Sequence, residues 1–236
     1  MIACYNEEPI FRESIEKLFD VMRSTCWQYE IIFVDDHSQD KTLTMIDEII
    51  QNHPEMNISK IAHAHNTGRG RAVADGIRAS RGTYVGYLDI DLEVGAHYIP
   101  LMVNALKQGA DVATAFRVYK ATLRLFNRVV LSMGYRILLH LLIKLPVKDT
   151  ETGFKFFKRE KVMTILDQAD DPGWFWDTQI MAYAYHSGMK IVELPCLFIR
   201  RYDKKSSVKV FRDSVQYFLH LLKFSKRISA LNKKAA

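Results

Sequence analysis

Short β-rich apolar runs alternate with helical patterns through the first half of the chain, and this alternation constrains the fold more than any other feature. Glu30–Asp35 reads as a buried strand, Ile58–Ala62 and Thr83–Leu88 as two more, and Asp111–Phe116 as a fourth. Helices are expected between them, at about Glu7–Arg23, Lys41–Gln51, Arg69–Ser80 and His97–Lys107. Strand–helix–strand alternation at this spacing predicts an α/β protein with a mostly parallel sheet and helices on both faces. After Arg117 the pattern changes to a long helical stretch reaching about Lys144. A strand at Gly153–Phe157, a helix at Thr178–Tyr185, a strand at Lys190–Phe198 and a last helix from Val208 follow. No internal repeat, low-complexity tract or Gly/Ser linker divides the 236 residues, so one domain over residues 1–236 is expected. Only Met1–Cys4 precede the polar Tyr5-Asn6-Glu7-Glu8, against about 5–6 residues for an ordinary strand. The first strand is therefore expected to be clipped at its start.

Composition excludes several classes. Hydrophobic residues at 48% and charged ones at 25% rule out disorder and collagen-like structure. Thirty-three Lys and Arg against 27 Asp and Glu leave a charge of +6, which favours anionic ligands or lipids without naming either. No nucleic-acid partner is expected. Cys4, Cys26 and Cys196 are odd in number and form no CxxC pair, so they read as reduced thiols in a cytoplasmic setting. The start, MIACYNEE, turns polar too early for an apolar signal core. Leu123–Leu145 is the nearest approach to a spanning segment, yet it carries Arg124, Arg128, Arg136, His140 and Lys144. Each such charge costs about 2.5–3.5 kcal/mol at a bilayer centre, so no span is expected.

In an open parallel sheet, ligands bind beyond the C-terminal ends of the strands. Four polar clusters fall there: Tyr5-Asn6-Glu7-Glu8, Asp35-Asp36-His37-Ser38, Asn66-Thr67-Gly68-Arg69-Gly70 and Asp89-Ile90-Asp91-Leu92-Glu93. Asp89 and Asp91 stand two apart, which on an extended chain points both to one side. Two neighbouring carboxylates repel unless a cation lies between them, and a hard ion such as Mg²⁺ or Mn²⁺, completed by phosphate oxygens and water, meets that need. Acids that cap the next helix are the competing account. Asp36, Ser38 or Asp40 can cap the helix near Lys41, leaving a carboxylate for a base N–H or a ribose hydroxyl. Gly68 and Gly70 allow a phosphate to approach a helix start, with Arg69 adding charge. The same residues also suit a tight turn with solvated arginines.

Taken in order, these clusters resemble family 2 glycosyltransferases with the Rossmann-like GT-A fold. Val147-Lys148-Asp149-Thr150-Glu151-Thr152-Gly153-Phe154-Lys155, Val192-Glu193-Leu194-Pro195, Arg200-Arg201 and Ser206-Ser207 narrow the likeness. They are similar to dolichyl-phosphate mannose synthases and polyprenyl-phosphate glucosyltransferases. The resemblance implies transfer of a hexose from a nucleoside diphosphate sugar, GDP-mannose or UDP-glucose, to a polyprenyl or dolichyl phosphate, with Mg or Mn as cofactor. It implies that Asp36 contacts the base with Tyr5 and Glu7 nearby. Asp89 and Asp91 would hold the metal, with Ile90 between them at the donor and Glu93 adjacent. Arg117 and Arg128 would meet the acceptor phosphate, and Arg201 with Ser206 would close over the diphosphate. Three departures stand out: Ala3 where proline is common, Gln179 where many relatives carry Glu, and Arg201-Tyr-Asp-Lys-Lys-Ser-Ser without the usual glycine.

Direct in-line attack would invert the anomeric centre. A sugar hydroxyl as nucleophile needs a general base, for which Asp149 or Glu151 is the candidate. A phosphate monoester with a second pKa of about 6 is already mostly dianionic, and it needs cations instead, a role suited to Arg117, Arg124 and Arg128. A lipid acceptor implies a peripheral position at the cytoplasmic face of a membrane. Residues 118–146 and 208–228 are the candidate interface helices. In the second, Val208, Phe211, Val215, Phe218, Leu219 and Leu222 share one arc, for which core packing is the competing account. An anchoring partner protein or a homo-oligomer is left open.

Overall fold

The structure, a computed structural model, describes residues 1–119, 134, 137–201 and 210–235. Among the described residues, seven strands carry it. β1 (Ile2–Cys4), β2 (Ile31–Asp35) and β3 (Ile58–Ala62) form a parallel sheet in the order β1-β2-β3. β4 (Tyr84–Leu88), β5 (Val112–Tyr119), β6 (Phe154–Lys158) and β7 (Ile191–Phe198) form a second sheet in the order β4-β6-β5-β7. In it, β6 runs antiparallel to both neighbours and β5 pairs parallel with β7. Met1 joins the two sheets: its amino nitrogen donates to Gly86 O at 2.6 Å, and its carbonyl accepts from Leu88 N at 3.4 Å. The strands therefore follow one another as β3-β2-β1-β4-β6-β5-β7.

The expected parallel sheet is present, with β6 inserted against its direction. β2 is buried along its whole length, as a continuous Ile-Ile-Phe-Val run requires in a central parallel strand. Helices α1 (Phe11–Arg23), α2 (Thr42–Asn52), α3 (Arg69–Ala79) and α4 (Ile99–Lys107) link the early strands. α1 begins four residues later than its apolar pattern predicts. The Glu7 carbonyl accepts from Ile10 and Phe11 N–H groups in a turn, and the Glu7 N–H goes to Thr42 Oγ1 at 2.8 Å. β5 is longer than expected, because pairing with β7 continues to Tyr119↔Phe198. Arg117 accordingly sits on a strand, which was expected to end at Phe116.

Beyond β6 come a short α5 (Arg159–Met163), then α6 (Trp176–His186) and α7 (Val210–Ala235). Residues 137–143 are helical, and Leu139 and Ile143 join the core with α6. α6 is buried from Trp176 through Ala184. α7 covers it with Leu221, Phe224 and Ile228, and the Phe224 ring meets Tyr183 edge-on at 5.4 Å. Among the described residues no helix is long and apolar enough to cross a membrane.

Candidate active site

The loops that follow β1, β2, β3 and β4 are tied to one another. Asn6 N–H donates to Ser38 Oγ at 3.0 Å, its Oδ1 accepts from Gln39 N at 2.7 Å, and Glu8 N–H donates to Asp40 Oδ2 at 3.0 Å. Asp40 Oδ1 also accepts from the N–H of Thr42, the first residue of α2, at 2.9 Å. Asp36 then ties the β2 loop to the β3 loop. Its Oδ1 accepts from Thr67 N and Thr67 Oγ1, both at 2.8 Å, and lies 2.8 Å from His63 Nδ1; its Oδ2 accepts from Gly68 N at 2.8 Å. Asp35 is also buried and accepts from Ser38 N, but its Oδ1 has no partner among the described residues. The oxygen left over is therefore on Asp35, while the Asp36 carboxylate serves the protein's own loop.

Burial works against the Asp36 charge, but the hydrogen bonds from His63, Thr67 and Gly68 outweigh it, so the group titrates below its ordinary 3.8. A carboxyl with a depressed folded pKa contributes stability above its unfolded value and loses it as pH falls through the folded one. The expected result is an acid loss of stability below about pH 4 that is shallower in Asp36→Asn. Urea midpoints measured against pH check it, and an identical acid limb in the two proteins would refute it.

α3 opens on Gly68, whose φ of 93° lies in the left-handed region open to glycine. The helix start does not face solvent. The Gly70 and Arg71 N–H groups both point at Pro172 O, at 2.8 and 3.4 Å, and a Cβ on Gly70 would run into Trp176 and the Asp171 backbone. The glycines thus admit the 171–173 backbone where the sequence allowed a phosphate. Arg69 is not solvated either. Its Nε and Nη2 donate to Asp89 Oδ1 at 2.9 and 2.7 Å, and its Nη1 to Asp177 Oδ2 at 2.5 Å. Trp174 covers the guanidinium, 4.7 Å from ring centroid to Cζ. Asp177 Oδ1 in turn accepts from Tyr87 Oη and from Lys155 Nζ, the latter at 2.9 Å. Lys155 and Asp177 are both 0% exposed. Burial opposes the charge on Asp177, and Arg69 and Lys155 overcome it, so its carboxyl is held below the ordinary range. For Lys155, burial prevails over Asp177 and the ammonium pKa is lowered.

After β4 the chain turns sharply. Leu92 is left-handed at φ 51°, and its N–H returns to Asp89 O at 3.2 Å. Such a conformation costs a β-carbon residue about 1–2 kcal/mol. Ile90 is buried between two half-buried acids, Asp89 and Asp91, which flank it in a turn and not on the extended chain that was expected. The Asp91 carboxylate accepts from Glu93 N at 3.2 Å. Among the described residues no three His, Cys, Asp or Glu side chains stand close enough to hold an ion by themselves. An acid pair of hard oxygen donors that needs phosphate oxygens to complete its shell fits Mg²⁺ or Mn²⁺ carried on a diphosphate.

On β5, which β6 separates from β4, Arg117 Nε and Nη2 grip Asp149 Oδ2 and Oδ1 at 2.7 and 2.9 Å, and its backbone N–H adds a bond at 3.2 Å. Glu193 Oε1 holds the Lys148 and Asp149 N–H groups at 2.7 and 3.1 Å. Glu93 lies between the two halves of the site. Burial raises its pKa, and Asp89, Arg117 and Arg200 all act on its charge. Arg201 is held from both sides, its N–H on Glu93 Oε1 at 3.0 Å and its Nη2 on Glu13 at 2.7 Å.

The glycosyl transferase family 2 model matches residues 1–166. The chain belongs to that family. The glycosyltransferase AglD of Haloferax volcanii is 27% identical over 221 residues, 90% of this chain and 34% of its own. A dolichyl-phosphate beta-glucosyltransferase of Dictyostelium discoideum is 30% identical over 180 residues, 71% of this chain and 54% of its own. The chain spans only about a third to two thirds of the length of these curated relatives, with 63% for one from Trichomonas vaginalis. Among solved structures, glucosyl-3-phosphoglycerate synthase of Mycobacterium tuberculosis in complex with Mn²⁺, UDP-glucose and phosphoglyceric acid shares the fold. Its TM-score is 0.69 at 19% identity, over 95% of this chain and 78% of that one. The resemblance read from the ordered motifs and the expected GT-A architecture are both borne out.

Within this family 2 chain, Tyr5 is exposed and Glu7 buried at the base of the edge. Asp36, Gly68, Arg69, Asp89, Ile90 and Asp91 are gathered along it, and Arg117, Asp149 and Arg201 form the other side. Arg128 and Ser206 lie outside the described residues, as do Arg124 and most of residues 120–136. Sequence reasoning passed over Lys155 and Asp177. Beside Asp177, Phe175 and Trp176 are core, and Trp174 lies over Arg69. A lysine within Phe-Lys-Phe-Phe was the available signal, since a buried charge demands a buried partner.

Proposed function

We propose that the chain transfers a hexose from a nucleoside diphosphate sugar to a polyprenyl or dolichyl phosphate, inverting the anomeric centre. UDP-glucose and GDP-mannose are the candidate donors, and the relatives named dolichyl-phosphate beta-glucosyltransferase favour the glucosyl one. One observation carries the choice of acceptor: Asp149 is fully engaged by Arg117. A hydroxyl acceptor would need a free base; of the two candidates, Asp149 already takes Nε, Nη2 and two backbone N–H groups, from Arg117 and Glu151, and Glu151 faces the same guanidinium at 3.7 Å. A lipid phosphate needs an oriented cation instead, and a guanidinium fixed in place by a two-pronged carboxylate supplies one.

In this reading Tyr5, Glu7 and the open Oδ1 of Asp35 receive the base end of the donor, with Asp36 holding the loop beside them. Asp89 and Asp91 hold Mg²⁺ or Mn²⁺, which when bound supplies charge stabilisation to the departing diphosphate. Arg69 orients Asp89 through two hydrogen bonds, and Arg201 and Ser206 act on the diphosphate. Arg117, together with Arg128, brings the acceptor phosphate to the opposite side of the sugar. The arrangement is electrostatic, with preset charges facing charge that develops in the reaction.

The surface of α7 supports a peripheral place on a membrane. Its core stripe is Leu221, Phe224 and Ile228, whereas Phe218, Leu219 and Leu222 remain exposed, Leu219 by 57%. Lys223, Lys226 and Arg227 are exposed on the same helix. Ile137 and Leu141 are exposed by 57% and 69% on the helical residues 137–143. An apolar strip with basic neighbours suits an anionic interface.

A donor panel tests the proposal: UDP-glucose and GDP-mannose with a polyprenyl phosphate, with and without Mn²⁺ or Mg²⁺. The expected result is a lipid-linked hexose formed with metal and lost on chelation. Transfer to a free saccharide but not to the lipid, or nucleotide binding without turnover, would overturn it.

A further inference from the structure

Asp89 divides its two oxygens. Oδ1 takes both donors from Arg69, at 2.9 and 2.7 Å, while Oδ2 accepts no hydrogen bond among the described residues. The carboxylate lies directly on Gly153: a Cβ built there would overlap both of its oxygens. The Asp89 N–H donates to the Gly153 carbonyl at 2.9 Å, so backbone and side chain rest on the same glycine. Gly153 has no positive φ that would call for glycine, so space for this carboxylate is the reason for its missing side chain.

Arg69 is held as firmly as Asp89. Asp177 pins its far nitrogen at 2.5 Å, and Asp177 is itself gripped by Lys155 and Tyr87. Lys155 also donates to the Thr152 carbonyl, the residue before Gly153. Asp89, Arg69, Asp177 and Lys155 thus form a ladder of alternating sign with no net charge. Its rungs sit on the end of β4, the start of α3, the start of α6 and β6. A ladder buried this deeply is not needed for stability, since apolar side chains of similar size commonly do as well. What it can supply is orientation.

We infer that Asp177 and Gly153 are positioning residues: Asp177, through Arg69, and Gly153, by direct contact, hold the Asp89 carboxylate so that Oδ2 stays open to a divalent cation. The inference rests on the proposed function. Without Asp177 the Arg69 fork is free to rotate onto both Asp89 oxygens and compete with the cation. With a side chain at 153 the carboxylate is lifted out of its seat. Both changes weaken the metal and spare contacts to the nucleotide itself.

The test is a calorimetric titration of Mn²⁺ into the protein with saturating UDP, repeated with GDP, alongside nucleotide binding without metal. Two variants are compared with the parent: the charge-neutral pair Lys155→Met/Asp177→Asn, and Gly153→Ala. The expected result in both is a Mn²⁺ dissociation constant raised about tenfold or more, the usual effect of disturbing groups that orient a metal ligand. Metal-free nucleotide binding stays at the parent level, and with a donor sugar the KM for metal rises by more than kcat falls. Folded variants that bind Mn²⁺ within about twofold of the parent, the scatter of independent sites, would overturn the inference while leaving the proposed function standing. If the paired variant does not fold, Gly153→Ala decides alone. A parent protein whose nucleotide binding is indifferent to Mn²⁺ would overturn the proposed function, and the inference with it.

Discussion

Turnover in Asp91→Asn falls by about 10³, roughly 4 kcal/mol of lost transition-state stabilisation, while the urea midpoint stays near that of the parent. The substitution separates the two accounts of the acid pair. The Asp91 carboxylate accepts the Glu93 N–H at 3.2 Å, a capping contact. Asparagine caps about as well as aspartate, so a purely structural Asp91 would survive the change with its function intact. A cation ligand would not, because the amide brings no charge to a divalent ion. Asp91 is the better target of the pair, since neutralising Asp89 would also unbalance Arg69. Hexose transfer measured at saturating donor across a metal series decides the matter, and retained metal-dependent activity would remove Asp91 from the ligand set.

Asp177→Ala is expected to destabilise the fold by about 3–5 kcal/mol, the usual cost of breaking one side of a buried ion pair. Lys155, fully buried 2.9 Å from that carboxylate, would be left with a backbone carbonyl and the face of the Tyr87 ring. Arg69 would lose its 2.5 Å partner as well. For a domain of this size each kcal/mol shifts Tm by about 2–4 °C, so the midpoint should drop by roughly 6–20 °C. Adding Lys155→Met should recover most of the loss, because the cost lies in the unpaired charge and not in the missing bond. A single variant within about 1 kcal/mol of the parent would mean that Lys155 is already neutral in the folded protein and that the ladder is not ionic.

The proposed donor half of the site was largely legible in the chain. Asp35-Asp36, Asn66 to Gly70 and Asp89 to Glu93 each follow a strand that could be recognised by its apolar run, and the sheet carries all of them to one edge. The acceptor half was less so. Arg117 was expected between a strand ending at Phe116 and a helical stretch, but pairing with β7 to Tyr119 makes it a strand residue facing Asp149. Strand pairing over long sequence separation leaves no local periodicity to read. The glycines of α3 misled for a similar reason: close approach of a backbone was foreseen, but that the backbone would be Pro172 and not a ligand depended on a segment about a hundred residues away.

The amino-acid sequence by itself determined the layering, the family and the edge that gathers the candidate site, because hydrophobic period and loop chemistry are local and survive without coordinates. Only the tertiary structure decided which charges answer one another. Arg69 could have been a solvated arginine, Lys155 a surface lysine, Gly153 a turn residue and Asp177 a cap. Packing β4, β6, α3 and α6 together excludes water from their meeting point. There a charge persists only beside its opposite, and that requirement sets their partners.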